Sequence, residues 1–92
     1  MARRYAVIGL GQFGRAIALV LASKGGEVVA IDNNPSHVEL IKDDVAHAIA
    51  TDATDRKALV GQGIHEMDAI VLAIGKDFEA LLLAGAHLLE LN

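Results

Sequence analysis

Three glycines and one aspartate carry the chemistry open to this chain. The run Gly9-Leu10-Gly11-Gln12-Phe13-Gly14 follows directly on the apolar stretch Tyr5-Ala6-Val7-Ile8. Asp32 closes a second apolar stretch, Val28-Val29-Ala30-Ile31, and lies 18 residues beyond Gly14. A strand that enters a glycine turn and leaves it as a helix offers free main-chain N–H groups, and the positive end of a helix dipole, to a phosphate. Gly9 permits the tight bend, Gly11 lets the backbone come close to a pyrophosphate, and Gly14 lets the helix lie close to the sheet. An acid roughly 20 residues further on is placed to meet ribose hydroxyls. Leu10, Gln12 and Phe13 complete the turn, and Asn33 stands beside the acid, so all of them are candidate contacts. The plain alternatives are a ligand-free connection for the glycines and a helix cap for Asp32, ahead of Asn33-Asn34-Pro35.

If Asp32 meets a ribose, its charge repels a 2′-phosphate, and Asn33 and Asn34 bring no arginine to invite one. The expected ligand is NAD(H) or an adenine mononucleotide, with NADP(H) disfavoured. Asp52-Ala53-Thr54 follows a third apolar stretch and would lie beside the adenosine half of such a site. Thr54 reads as a helix cap, and Asp52 divides between cap and contact. Arg15, in the first turn of the phosphate-binding helix, could pair with phosphate oxygens or stay solvated.

Nothing in the chain forms a nucleophile–base pair. The four histidines, His37, His47, His65 and His87, show no metal-ligand spacing, and Asp43-Asp44 reads as the polar end of a helix. With no cysteine there is no disulfide, thiolate chemistry or cysteine zinc site, which suits a reducing cytoplasm. No catalytic residue and no metal site are expected. A formal net charge of −4 provides no basic stripe for a nucleic acid. No apolar run reaches the roughly 20 residues that cross a bilayer, and no signal peptide is visible. A cytoplasmic domain is expected.

The elements that must position these residues alternate regularly. Tyr5–Ile8 reads as a buried strand, followed by a helix with Phe13, Ile17, Val20 and Leu21 on one face and Gly25-Gly26 at its end. Val28–Ile31 is a second strand, and Asn34-Pro35 opens a helix whose apolar side is Val38, Leu40 and Ile41. His47–Ala50 is a short third strand, and Thr54 caps a helix of Ala58, Leu59 and Val60 that Gly61 and Gly63 stop. Ala69–Ile74 is the fourth strand. A last helix from about Asp77 carries Phe78, Leu81, Leu82, Gly85, Leu88 and Leu89. With 53% hydrophobic residues but only three aromatics, the core must be aliphatic, as in parallel strands covered on both faces. Right-handed crossovers then give a Rossmann-like α/β fold: a parallel sheet of about four strands in the order 3-2-1-4, with helices on both faces. The pattern reads as an incomplete doubly wound domain over residues 1–92. Strand four is left as an open edge, and Leu83 and Leu91 fall off the last helical stripe, which predicts self-association or a missing remainder.

Ala6-Val7-Ile8-Gly9-Leu10-Gly11-Gln12-Phe13-Gly14 resembles the opening of the RCK domain, also called KTN or TrkA-N. The likeness continues through Glu27-Val28-Val29-Ala30-Ile31-Asp32, Thr51-Asp52-Ala53-Thr54 and Val71-Leu72-Ala73-Ile74-Gly75-Lys76-Asp77. It implies a cytoplasmic regulatory subunit of potassium channels or transporters, whose N-lobe binds NAD(H) or ATP/ADP. It also implies assembly of dimers into a ring beneath a membrane pore. By position, Gly9, Gly11 and Gly14 would cradle phosphates and Asp32 would take the ribose. Asp52, Ala53 and Thr54 would flank the adenosine, and Ala73, Ile74, Gly75 and Lys76 would line the far side of the cleft. Gln12 departs from the arginine of ATP-responsive members. The pattern covers the first part of the N-lobe. The competing class is the cofactor half of an NAD-dependent dehydrogenase, from which the Asp52-Ala53-Thr54 segment and the lack of a catalytic group divide it.

Overall fold

The computed structural model describes residues 2–74. In chain order these form β1 (Arg4–Ile8), α1 (Gln12–Ser23), β2 (Glu27–Asp32), α2 (Pro35–Glu39), β3 (His47–Ala50), α3 (Arg56–Gly61), a 3₁₀ turn (Ile64–Glu66) and β4 (Ala69–Leu72). Gly75 and Lys76, the helix expected from Asp77, and Leu83 and Leu91 lie outside the described residues.

The four strands make one parallel sheet in the order β3-β2-β1-β4, as the crossover rule requires. Val7 pairs with Ala30 on one side and Val71 on the other, while Ile31 pairs with Ile49. The central strands β1 and β2 are apolar on both faces because both faces are covered, while β3 and β4 are half-buried to exposed. Val7, Val28 and Ala30 pack with Ala18 of α1 and with Val38 and Ile41 at α2, and Ala6, Ile8 and Ile31 pack with Leu59 of α3 and Ile64. Two aliphatic layers therefore sandwich the sheet, and all four strands end at one rim.

The helices depart from expectation in how they turn and how they begin. Phe13 and Val20 were expected on the buried face of α1, but both are mostly exposed; Gly14 and Ala18 are buried instead, with Ile17 and Leu21 packed beside them. The cause is Gly14, where a Cβ would fall on the carbonyl oxygen of Gly9 and 3.0 Å from the Cβ of Ala73. That contact turns the helix so that Gly14, Ala18 and Leu21 face inward, which points Phe13 away. Leu40 likewise caps α2 on the solvent side, while Val38 and Ile41 are buried. The cap of α3 is Asp55 and not Thr54: its carboxylate accepts the N–H groups of Lys57 and Ala58 at 3.0 and 3.4 Å. Thr54 donates its hydroxyl to Asp52 instead. At the end of α1, Gly25 adopts φ +88°, and the N–H of Gly26 returns to the carbonyl of Leu21 at 3.0 Å. No helix among the described residues is long and apolar enough to cross a membrane.

Candidate functional site

The rim where the strands end holds a cavity of about 600 Å³, within the size range of small-ligand sites. β1 delivers the chain into the glycine turn. Gly9 sits at φ +98°, a conformation that side chains resist, and a Cβ there would stand 2.7 Å from the carbonyl oxygen of Ala73. Its N–H donates to the carbonyl of Ile31 at 2.8 Å, and the N–H of Ala73 donates to Ile8 at 2.8 Å. The turn is thus clasped between the ends of β2 and β4.

Gly11 is constrained differently. Its φ is −65°, open to any residue, and a Cβ built on it meets nothing within 4 Å. The chain's own packing does not demand glycine here; the residue leaves space in front of the backbone. Gly11 is also the N-cap of α1 and has no side chain with which to cap it, and the first turn carries no acid. Among the described residues, no side chain caps the opening N–H groups of this twelve-residue helix. α2 and α3 differ, since Asn34 accepts from Ser36 and Asp55 accepts from Lys57 and Ala58.

Asp32 closes β2 with its side chain only 10% exposed. Its Oδ2 accepts the N–H of Leu10 at 2.6 Å and faces Nδ1 of His37 at 3.1 Å, while Oδ1 accepts the N–H of Asn34 at 2.8 Å. Burial alone would raise its pKa. The hydrogen bonds from Leu10 and Asn34, followed by the His37 hydrogen bond and charge, outweigh burial and bring the carboxyl below its ordinary value. The carboxylate is therefore ionised at neutral pH and partly sheltered from water. Both readings of Asp32 meet in one side chain, because it fastens the turn to the entry of α2 and still lines the cavity.

Beyond β3, the N–H of Thr51 donates to the carbonyl of Asp32 at 2.9 Å and carries the third segment to the same rim. Asp52 is exposed, and its Oδ1 accepts both the hydroxyl and the N–H of Thr54, at 2.6 and 2.8 Å. The Thr54 hydroxyl, then the amide, lowers the Asp52 pKa.

Of the residues expected at the site, Gly9, Gly11, Gln12, Phe13, Gly14, Asp32, Asn33, Asp52, Ala53, Thr54, Ala73 and Ile74 line this cavity. Leu10 does not: its side chain is fully buried beneath the turn, and its N–H is given to Asp32. Arg15 is absent from the lining, and Gly75 and Lys76 lie outside the described residues. The cavity adds Ile8, Ile31, Thr51 and His37 to the set. The first three stand at strand ends and follow from the topology alone. His37 is one turn into α2, and only the angle at which that helix leaves β2 brings it onto Asp32. Among the described residues no lysine or arginine lines the cavity, and no group of three acids or histidines could hold a metal ion.

The family model of the TrkA-N domain matches residues 5–92. The chain is 36% identical over 92 residues to the Ktr system potassium uptake protein C of Bacillus subtilis, covering all of this chain and 42% of that protein. It is 36% identical over 90 residues to the Ktr system potassium uptake protein A of the same organism, covering 98% of this chain and 40% of that protein. To the Trk system potassium uptake protein TrkA of Mycobacterium tuberculosis it is 31% identical over 74 residues, covering 80% of this chain and 34% of that protein. The chain thus spans 34–42% of the length of these relatives. Among solved structures, the NAD(P)-binding domain of an exopolyphosphatase-related protein from Archaeoglobus fulgidus matches with a TM-score of 0.81 at 27% identity, covering 96% of this chain and 65% of that one.

Proposed function

The chain belongs to the TrkA-N domain family, and on that premise we propose that it is a regulatory module whose rim cavity binds NAD(H) or ATP/ADP and thereby controls a membrane potassium transporter or channel. The observation that carries the reading is the start of α1. Gly11 keeps open the space in front of an uncapped helix N-terminus, on the wall of a cavity that also holds a carboxylate. Main-chain N–H groups and the helix dipole there suit a pyrophosphate, and Asp32 suits ribose hydroxyls.

Ionised Asp32 disfavours a 2′-phosphate, so NADP(H) is the poorer ligand. Gln12 brings no cation to a terminal phosphate, and Arg15 lies off the cavity wall, which makes NAD(H) the first ligand to test. The module's task is binding: a ligand acts by favouring one conformation of a larger assembly over another. That assembly, on this reading, is a homo-oligomer on the cytoplasmic side of the transporter, and the relatives named as potassium uptake proteins support the link to potassium transport. Titration calorimetry with NADH, ATP and ADP should show at least one dissociation constant below about 1 mM. Gly11→Val should abolish that binding with helix content unchanged. Failure of all three ligands, or binding that survives Gly11→Val, would overturn the reading.

A further inference from the structure

An ionised carboxylate offers acceptor positions for about four donors around its two oxygens. At Asp32 three are occupied, by Leu10 N–H and His37 Nδ1 on Oδ2 and by Asn34 N–H on Oδ1. Two of these donors are main-chain groups of the turn and of the approach to α2. They cannot leave without dismantling those elements. The third is a side chain, 38% exposed and free to rotate about its own bonds. A ribose with adjacent 2′- and 3′-hydroxyls brings two donors, for which the carboxylate has one position open.

We propose that His37 is a displaceable occupant of the ribose-binding carboxylate, so that it weakens the cavity's preference for an adjacent pair of hydroxyls over a single one and makes that binding depend on pH. The inference rests on the reading of the cavity as a nucleotide site. A carboxylate only accepts, so the bond to Asp32 requires the hydrogen on Nδ1, and in the neutral ring Nε2 is then an acceptor. Imidazoles gain their charge between about pH 5 and 8. In the charged form the contact becomes a charge-assisted pair, roughly twice as strong as a neutral hydrogen bond. A diol must displace it, so the diol is penalised as pH falls. A ligand with a single hydroxyl uses the open position and leaves His37 in place.

Among the described residues, His37 has its ion pair with Asp32, and the charged groups on the neighbouring elements are placed as follows. On β2, Glu27 lies at the opposite end and pairs with Arg4. On β3, His47 opens the strand and is registered against Val29, three residues before Asp32. On α2, Glu39 pairs with Lys42 at 2.8 Å. Asp52 shares the cavity, with its Oδ1 engaged by Thr54.

The test is the affinity of the chain for NADH, and for its 2′-deoxyadenosine analogue, between about pH 8 and about pH 6. Wild type, His37→Ala and His37→Gln are compared, with a circular dichroism melt of each to confirm folding. The ligand's own titration is common to the three proteins and cancels in the ratios. Wild-type affinity for NADH should fall about fivefold over this range, while both variants stay flat and exceed wild type at the acid end. The deoxy analogue should show no such fall in wild type. Parallel profiles for the three proteins, or an equal fall for the deoxy analogue, would overturn the role of His37 and leave the nucleotide reading standing. Absence of NADH binding to all three at the alkaline end would overturn both.

Discussion

Two helices start at the same rim of the sheet and are finished in opposite ways. α3 closes on itself: Asp55 accepts the N–H groups of Lys57 and Ala58, and Asp52 just before it accepts from Thr54. α1 is twice as long, twelve residues against six, and has the larger dipole to satisfy, yet its N-cap is a glycine in front of which an added Cβ would meet nothing within 4 Å. A carboxylate does stand close to the turn, but Asp32 spends its bonds on Leu10 and Asn34 and leaves the first turn of α1 open. On the proposed function, the contrast separates groups that complete the fold from groups left for a ligand. Chain stability should reside at α3 and in the turn's internal packing, and ligand affinity at Gly11.

The largest test of that division is Gly14→Ala. The new methyl would fall on the carbonyl of Gly9, so the turn or the helix must shift, and urea unfolding should show a loss of about 3 kcal/mol. A change under about 0.5 kcal/mol would mean that the turn is loose and the rotation of α1 is set elsewhere.

Asp32→Ala should come next, because it strands the N–H of Leu10, a fully buried residue, and opens the junction to α2. About 2 kcal/mol of stability is expected to go. The pH dependence has a definite sign. The folded carboxyl titrates below its ordinary value, so its contribution is present above about pH 4 and is lost as pH falls through the folded pKa. Wild type should therefore lose stability on acidification in that window more steeply than Asp32→Ala. Parallel acid profiles would remove Asp32 from the set of fold-completing groups.

The smallest test is reciprocal. Asp55→Ala should cost about 1 kcal/mol with nucleotide affinity unchanged, since Asp55 is outside the cavity lining. Gly11→Asp should raise stability by a few tenths of a kcal/mol, about the difference between glycine and a capping acid at that position, while removing affinity by filling the open space with charge. If Gly11→Asp keeps its ligand, the two helix starts are not functionally different.

The remaining polar cluster lies at the opposite end of the sheet. Arg4 reaches Glu27 at 3.8 Å and Glu66 at 3.5 Å, and its N–H donates to Asp68 at 2.7 Å. The pairs with Glu27 and Glu66 are exposed and contribute little on their own, and this end ties β1 to the segments before β2 and β4.

Much of this was legible in the chain because it depends on short-range spacing and on handedness. Gly9, Gly11 and Gly14 behind an apolar run, and Asp32 at the end of the next, fix a strand–turn–helix–strand unit. Parallel strands joined by right-handed crossovers then admit the order 3-2-1-4 and put the strand ends on one rim. Periodicity failed where neighbouring elements decide which way a side chain points. Phe13 looked like a core residue of α1 and is 71% exposed, because Gly14 had to meet Gly9 and Ala73. Thr54 looked like a cap and became a donor to Asp52, leaving Asp55 to do the capping. His37 carried no ligand spacing at all. It reaches Asp32 because Val38 and Ile41, buried against the sheet, fix where the helix beside them lies. Sequence alone determined the elements, their order and the placing of the glycines and Asp32 on one rim, since these follow from backbone geometry repeated along the chain. Only the tertiary structure decided the rotation of α1, the cap of α3 and the partners of Asp32, because each is settled by contact between side chains on separately packed elements.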